Sequence, residues 1–329
     1  MNPEKMFEVL RITLPVFALM GIGNLLSRRR IMTESHQAFL NGLAYYLSLP
    51  ALIFSELASQ PFHELLNGVV IFSTLISISI IFVLYAAGAF IFKLRKSLAA
   101  VMIFGTYWAN AAYIGFPLVS SAFGAERGLT LAAIVNAFSL PVFIAVAFVL
   151  LGFSRNDGQR SVIHSISNAV INPIVIAAFS GLLVSWFASA LNLQSEKTSL
   201  PLIVQEAVAS VNSFLKLVGT MGLPLALLSV GGKLHFRAFR ENLIPLSFTI
   251  AGKLIFLPLT TFLVIKTLFP TADRTVTGVA VLLMATPVAV ATSVVSSKFK
   301  VEEQFVSSLL AVSTVLSIIT IPLWLYFIL

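Results

Sequence analysis

Few residues of this sequence could do chemistry, and the most conspicuous is a lysine. Lys253 falls close to the middle of a long apolar run, 242–266. A lysine at the centre of a membrane helix costs about 2.5–3.5 kcal/mol, so it normally faces a cavity or a partner. No carboxylate is comparably central. Glu56, the nearest candidate, lies about 8 residues from the middle of its own run, or about 12 Å along a helix. An unpaired central cation suits an anionic ligand as counter-ion. The alternative is that Lys253 bonds backbone carbonyls freed at a helix break. Lys216 says less, because its stem could carry the charge outward. Without a central Asp or Glu, a carboxylate proton relay is disfavoured.

Two other apolar runs are interrupted. One reads Gly105-Thr106-Tyr107-Trp108-Ala109-Asn110-Ala111-Ala112-Tyr113-Ile114-Gly115-Phe116-Pro117. The other reads Met284-Ala285-Thr286-Pro287-Val288-Ala289-Val290-Ala291-Thr292-Ser293. Proline in a helix interior removes a hydrogen bond and clashes with the preceding turn. In lipid such a break is tolerated only against protein or a water-filled cavity. The half-helix that restarts beyond it offers free N–H groups and a positive dipole end, which suit an anion. Asn110, Tyr113, Pro117, Thr286, Pro287, Thr292 and Ser293 are therefore candidate substrate-binding residues, with Lys253. Asn136 and Ser139 in the next run add polar groups, for substrate or for helix–helix hydrogen bonds. The alternative for Pro117 and Pro287 is that each merely kinks a packed helix. Aligning the two runs at Phe123 and Phe299 sets Asn110 near Thr286 and Pro117 opposite Ser293.

These positions need elements that only a membrane provides. Of 329 residues, 58% are hydrophobic and 10% charged, against about 25% charged in soluble domains. One soluble core could not hide that much apolar surface. The net charge of +8 lies in short clusters between apolar runs, which is membrane topology and no nucleic-acid face. With no cysteine, disulfides, thiol catalysis and Cys-bound metals are excluded. His36, His63, His164 and His235 show no ligand spacing, so no metal is expected. No cofactor motif, phosphate-binding loop or nucleophile–base pair is present, so the chain does not read as an enzyme or an ATP-driven pump. The run from Ile12 to Ser27 is too long for a typical signal core and ends in Arg28-Arg29-Arg30, so a cleavable signal is not expected.

A membrane helix takes roughly 20 mainly apolar residues. Ten runs qualify: 8–27, 36–59, 66–92, 97–122, 128–152, 165–191, 206–231, 242–266, 275–297 and 303–328. The expected fold is an all-α polytopic membrane protein, with the fourth and ninth spans broken. Thirteen Lys and Arg fall on one side, including Arg28, Lys93, Arg155, Lys233 and Lys298, and six on the other. That bias places the first side in the cytoplasm and both termini outside.

The order of motifs repeats. Leu14-Pro15 through Gly23 and Ser27 matches Asn172-Pro173 through Gly181 and Ser185, 158 positions on. Leu47 to Leu52 resembles Met221 to Ala226, 174 on, and the turn after Phe123 resembles that after Phe299, 176 on. Five spans per unit is odd, so the second unit lies inverted, an arrangement typical of secondary carriers. The units are 1–152 and 165–329, joined by a cytoplasmic linker at 153–164.

The chain resembles the auxin efflux carrier family, which includes plant auxin carriers and bacterial permeases for malonate and related acids. The resemblance rests on Leu14-Pro15 through Arg30, Leu49-Pro50-Ala51-Leu52-Ile53-Phe54, and Asn110 through Gly115-Phe116-Pro117. It continues at Asn172-Pro173, Leu223-Pro224 through Leu228, Lys253 with Leu257-Pro258, and Thr286-Pro287. The long cytoplasmic loop of the larger plant carriers is absent, which favours the bacterial branch. The resemblance implies a fold like that of bile acid–sodium symporters, with crossing broken helices. It also implies a scaffold of spans 1, 2, 6 and 7, a transport unit of spans 3–5 and 8–10, elevator-type alternating access and a homodimer. Asn110, Pro117, Asn136 and Pro287 fall at matching substrate or crossover positions. The expected function is secondary transport of a small organic anion across the cytoplasmic (inner) membrane, with H+ or Na+ as possible coupling ion. The competing readings are a sodium-coupled symporter of a bile-acid-like or other solute and a passive channel. An embedded enzyme and a purely structural or receptor protein are less well supported.

Overall fold

Backbone polar groups inside lipid must be satisfied within the segment, and this chain does so as helix. The computed structural model describes residues 3–65, 67–155, 173–191, 201–232 and 243–329. It is 88% helical, with no strand among the described residues. In chain order the helices are α1 (Pro3–Arg28), α2 (Glu34–Ala58), α3 (Gly68–Ile91), α4 (Lys96–Tyr107), α5 (Ala111–Phe123) and α6 (Leu129–Arg155). There follow α7 (Pro173–Ala190), α8 (Leu202–Gly232), α9 (Leu243–Leu268), α10 (Arg274–Ala285), α11 (Ala291–Phe299) and α12 (Glu303–Ile328). Eight of these regions are long and apolar enough to cross a membrane. Phe7, Phe90, Ile203 and Ile244 stand 74–85% exposed on the outside. So apolar an exterior belongs in lipid, and the protein is a multi-pass membrane protein.

The eight long helices coincide with eight of the ten apolar runs. In the other two, 97–122 and 275–297, a helix stops and another starts: α4 and α5, then α10 and α11. Helix α6 continues to Arg155, past the expected boundary at 152. The rest of the linker, the stretch 165–172 with Asn172, and Lys233 lie outside the described residues.

One expectation needs correction. The first break is not at Pro117. The chain leaves the helix at Trp108–Asn110, and Pro117 lies inside the restarted helix. A wide turn comes first: the N–H of Phe116 bonds the carbonyl of Ala111, five residues back. The same turn precedes Pro50, with Leu49 bonding Ala44, and Pro258, with Leu257 bonding Gly252. A proline clashes with the carbonyl four residues before it. Inserting one residue into that turn relieves the clash without ending the helix. At Pro258 the carbonyl left without its N–H is that of Leu254, and the Trp324 indole donates to it at 2.9 Å.

The helices pack as two groups. Helix α1 lies on α8, α7 lies on α2, and α8 also lies on α2. Backbones touch there: a Cβ on Gly23 would collide with the Leu228 carbonyl, on Gly231 with the Met20 carbonyl, and on Gly181 with Phe54 and Leu57. Small residues permit such approach between membrane helices. Gln37 Nε2 donates to the Gly232 carbonyl at 3.1 Å, and Ser185 Oγ donates to the Gln60 carbonyl at 2.6 Å. The second group holds α3 to α6 and α9 to α12. There Tyr85 donates to the Phe248 carbonyl at 2.6 Å and Tyr107 to the Phe143 carbonyl at 3.1 Å. Two ion pairs clasp this group: Arg95–Glu302 at 3.3 Å and Arg127–Asp273 at 2.6 Å. The groups meet where α1 touches α12 and α5, and where α6 touches α2 and α7.

Candidate functional site

The two interruptions are bonded to each other. Ala109 faces Val288 in an antiparallel bridge. Asn110 N–H donates to the Pro287 carbonyl at 2.9 Å, and Ala289 N–H donates to the Trp108 carbonyl at 3.0 Å. Each extended segment thus supplies the backbone partner that the other lost by leaving the helix. Four helix ends converge on this crossing: the carbonyl ends of α4 and α10 and the N–H ends of α5 and α11.

The remaining groups near the second break divide cleanly. Pro287 has no N–H for the Leu283 carbonyl, which instead receives the Thr286 hydroxyl at 2.7 Å. Val288 N–H goes to the Ser313 hydroxyl at 3.3 Å. The Met284 carbonyl is taken by Lys253 Nζ at 2.8 Å. Lys253 is fully buried. It therefore bonds a carbonyl freed at a helix break.

The other hydroxyls on the candidate list bond their own backbone. Thr292 donates to the Ala289 carbonyl at 2.7 Å, Ser293 to the Val290 carbonyl at 2.8 Å and Ser139 to the Val135 carbonyl at 2.6 Å. The two amides do not. Asn110 is the N-cap of α5, and its carbonyl accepts Ile114 and Gly115 N–H at 3.1 Å each. Its side chain makes no capping bond, although asparagine readily caps in that way. Asn110 Nδ2 is left buried without a partner, as is Asn136 Nδ2 on α6, which packs on α4 and on the first turn of α5. An unpaired buried donor costs about 1–3 kcal/mol. Both nitrogens are donors that lack an acceptor among the described residues.

Tyr113, on that first turn of α5, is buried close to Tyr45 and Tyr46 of α2. The same turn touches α8, so Tyr113 lies at the boundary of the two groups. Gly115 lets the turn sit on the end of α10, since a Cβ there would press on Leu283 and Thr286. Trp108, Ala109, Val288, Ala289 and Ser313 were not among the sequence candidates. The first four act through backbone atoms, which leave no side-chain signature. Tyr45 and Tyr46 also escaped, being adjacent aromatics in a run that reads as plain helix.

Residues 9–325 match the family model described as "Membrane transport protein". The chain belongs to that family. The motifs that resemble auxin efflux carriers are thus motifs of a membrane transport protein. Among similar proteins, a Rhizobium meliloti protein named "Putative malonate transporter" is 24% identical over 327 residues, covering 98% of this chain and 97% of that protein. An uncharacterized transporter of Methanothermobacter thermautotrophicus is 24% identical over 320 residues, 94% of this chain and 95% of its own. The uncharacterized transporter YfdV of Escherichia coli K12 is 24% identical over 327 residues, 95% of each chain. A member of this family is a transporter, and the crossing is its candidate substrate site.

Proposed function

We propose that this protein is a secondary carrier that moves a small organic anion across the cytoplasmic membrane by elevator-type alternating access. The observation that carries this reading is the crossing itself: two helix breaks bonded back to back, with Asn110 Nδ2 unpaired at one break and Asn136 Nδ2 unpaired on a helix that packs against it. A carboxylate is an acceptor-only group, and a buried N–H donor at the N-terminal end of a half-helix, with a second on the helix packed against it, matches it. Tyr113 would line the site on the side facing α2 and α8. Lys253 adds positive charge below the crossing while its ammonium stays on the Met284 carbonyl.

The ten crossings follow if α4 with α5, and α10 with α11, each make one. An inverted duplication accounts for several pairings at once. Gly23 meets the Leu228 carbonyl, and Gly181, 158 positions on, meets that of Phe54, 174 positions before Leu228. Both offsets are those read from the motifs. At the crossing Ala109 faces Val288, 179 positions on, so the register there makes Ala289, and not Thr286, the counterpart of Asn110. The hydrogen-bonded packing of α1, α2, α7 and α8 suits a scaffold, and the remaining helices suit a moving unit. Both termini outside, and a homodimer, complete the reading.

The name of the Rhizobium relative makes malonate the first acid to try. Uptake by the purified protein in proteoliposomes, across a panel of mono- and dicarboxylates with and without Na+ or a pH gradient, should saturate for at least one acid. Saturable flux of neutral or cationic solutes alone would end the anion reading. Single-channel steps in a planar bilayer would replace the carrier by a channel.

A further inference from the structure

The carbonyl end of α10 lies at the crossing, and a half-helix end of this kind carries a partial negative charge of about half a unit. Ends like it, in discontinuous membrane helices, are where carriers hold a small cation. Here the place is taken by a side chain. The backbone donors that would serve the last turn have gone elsewhere: Pro287 has none, Val288 N–H points to Ser313, and Ala289 N–H points to Trp108. Lys253 Nζ donates to the Met284 carbonyl from a fully buried position.

The local structure is built to deliver it. The wide turn Gly252–Phe256 shifts the register of α9 at that level. Gly252 gives the neighbouring room, since a Cβ there would strike the Tyr85 hydroxyl. Among the described residues Lys253 has no carboxylate partner: Glu302 pairs with Arg95, Asp273 pairs with Arg127, and Glu56 has Lys216 and Glu126 for charged neighbours. A lysine that served packing alone could be a methionine, without the cost of burying an amine.

We propose that the Lys253 ammonium is a tethered cation at the end of α10, so that this carrier binds no Na+ or K+ there. The proposal rests on the carrier reading but not on the identity of the substrate. Its test is thermal unfolding of the whole detergent-purified protein in sodium, potassium, choline and ethylammonium chlorides at equal ionic strength. Wild type should melt at one temperature in sodium, potassium and choline. Lys253→Ala should melt several degrees lower in choline and recover in ethylammonium or sodium, which can enter the vacated space. Lys253→Met, which fills the space without charge, should melt lower and recover in neither. A sodium-specific rise in wild type would overturn the proposal. So would a Lys253→Ala protein that responds to no cation, or a Lys253→Met protein as stable as wild type. If Lys253→Ala yields no folded protein, the wild-type and Lys253→Met measurements decide. None of these readouts uses anion flux, so a failed carboxylate panel and a failed tethered cation remain separate results.

Discussion

At the residue scale the candidate site narrows from ten side chains to a few with free chemistry. Asn110 and Asn136 hold unpaired amide nitrogens, whereas the Ser139, Thr292 and Ser293 hydroxyls have bonded nearby backbone carbonyls. A hydrogen bond to a charged group contributes about 1.5–3 kcal/mol, or roughly 10- to 100-fold in affinity. Asn110→Ala should therefore raise the half-saturating concentration of the transported acid at least tenfold in proteoliposome uptake, and Asn110→Asp should abolish uptake by like-charge repulsion. Ser139→Ala should change it by less than about threefold, because its hydroxyl is already used. Equal effects from Asn110→Ala and Ser139→Ala would count against the assignment. Trp324→Phe tests a different residue-scale claim. It removes the indole donor from the Leu254 carbonyl and should lower stability by about 1–3 kcal/mol, read as a lower melting temperature. The residue types at the crossing were legible in the sequence, because amides and prolines are rare in apolar runs. Which of them were free was not, because a hydroxyl's own-helix bond depends on rotamer and local turn.

At the element scale the structure interrupts both apolar runs that the sequence marked, 97–122 and 275–297, but one break lies elsewhere than at its proline. Pro117 drew attention as a helix breaker, yet a widened turn absorbs it, as at Pro50 and Pro258. The true break at Trp108–Asn110 contains neither Pro nor Gly. It exists because Pro287 and its neighbours offer backbone partners from another helix, a long-range cause that local pattern cannot reveal. The elements are also held with very unequal strength. Gly23 and Gly231 abut backbone carbonyls, which cannot move aside as a side chain can. Gly231→Ala should cost about 1–3 kcal/mol or more through overpacking. The Arg127–Asp273 pair is largely exposed, and such pairs contribute about 0–1 kcal/mol. Arg127→Ala should hence leave the melting temperature nearly unchanged where Gly231→Ala lowers it clearly. The reverse order would mean that charge inside the second group matters more to stability than backbone contact inside the first.

At the scale of the whole molecule the question is relative movement of the two groups. Helix α1 touches α12 where Lys5 Nζ lies 4.8 Å from the Tyr326 ring centre. The chain has no cysteine, so paired cysteines can be introduced without background. A cross-link between Lys5→Cys and Tyr326→Cys spans the boundary and should arrest transport. One between Arg95→Cys and Glu302→Cys stays inside one group and should leave transport largely intact. Full activity with the boundary cross-linked would exclude a sliding unit.

The lysine on α9 has a consequence beyond cation binding. If α9 belongs to the moving group, each passage of the empty carrier takes a fixed positive charge through the electric field of the membrane. A full crossing is biased by about 2.3 kcal/mol per elementary charge at 100 mV. A bound monoanion cancels that bias and a dianion reverses it. The resting voltage would then act on the empty carrier's return differently from its loaded passage, and would set the side on which the empty carrier waits.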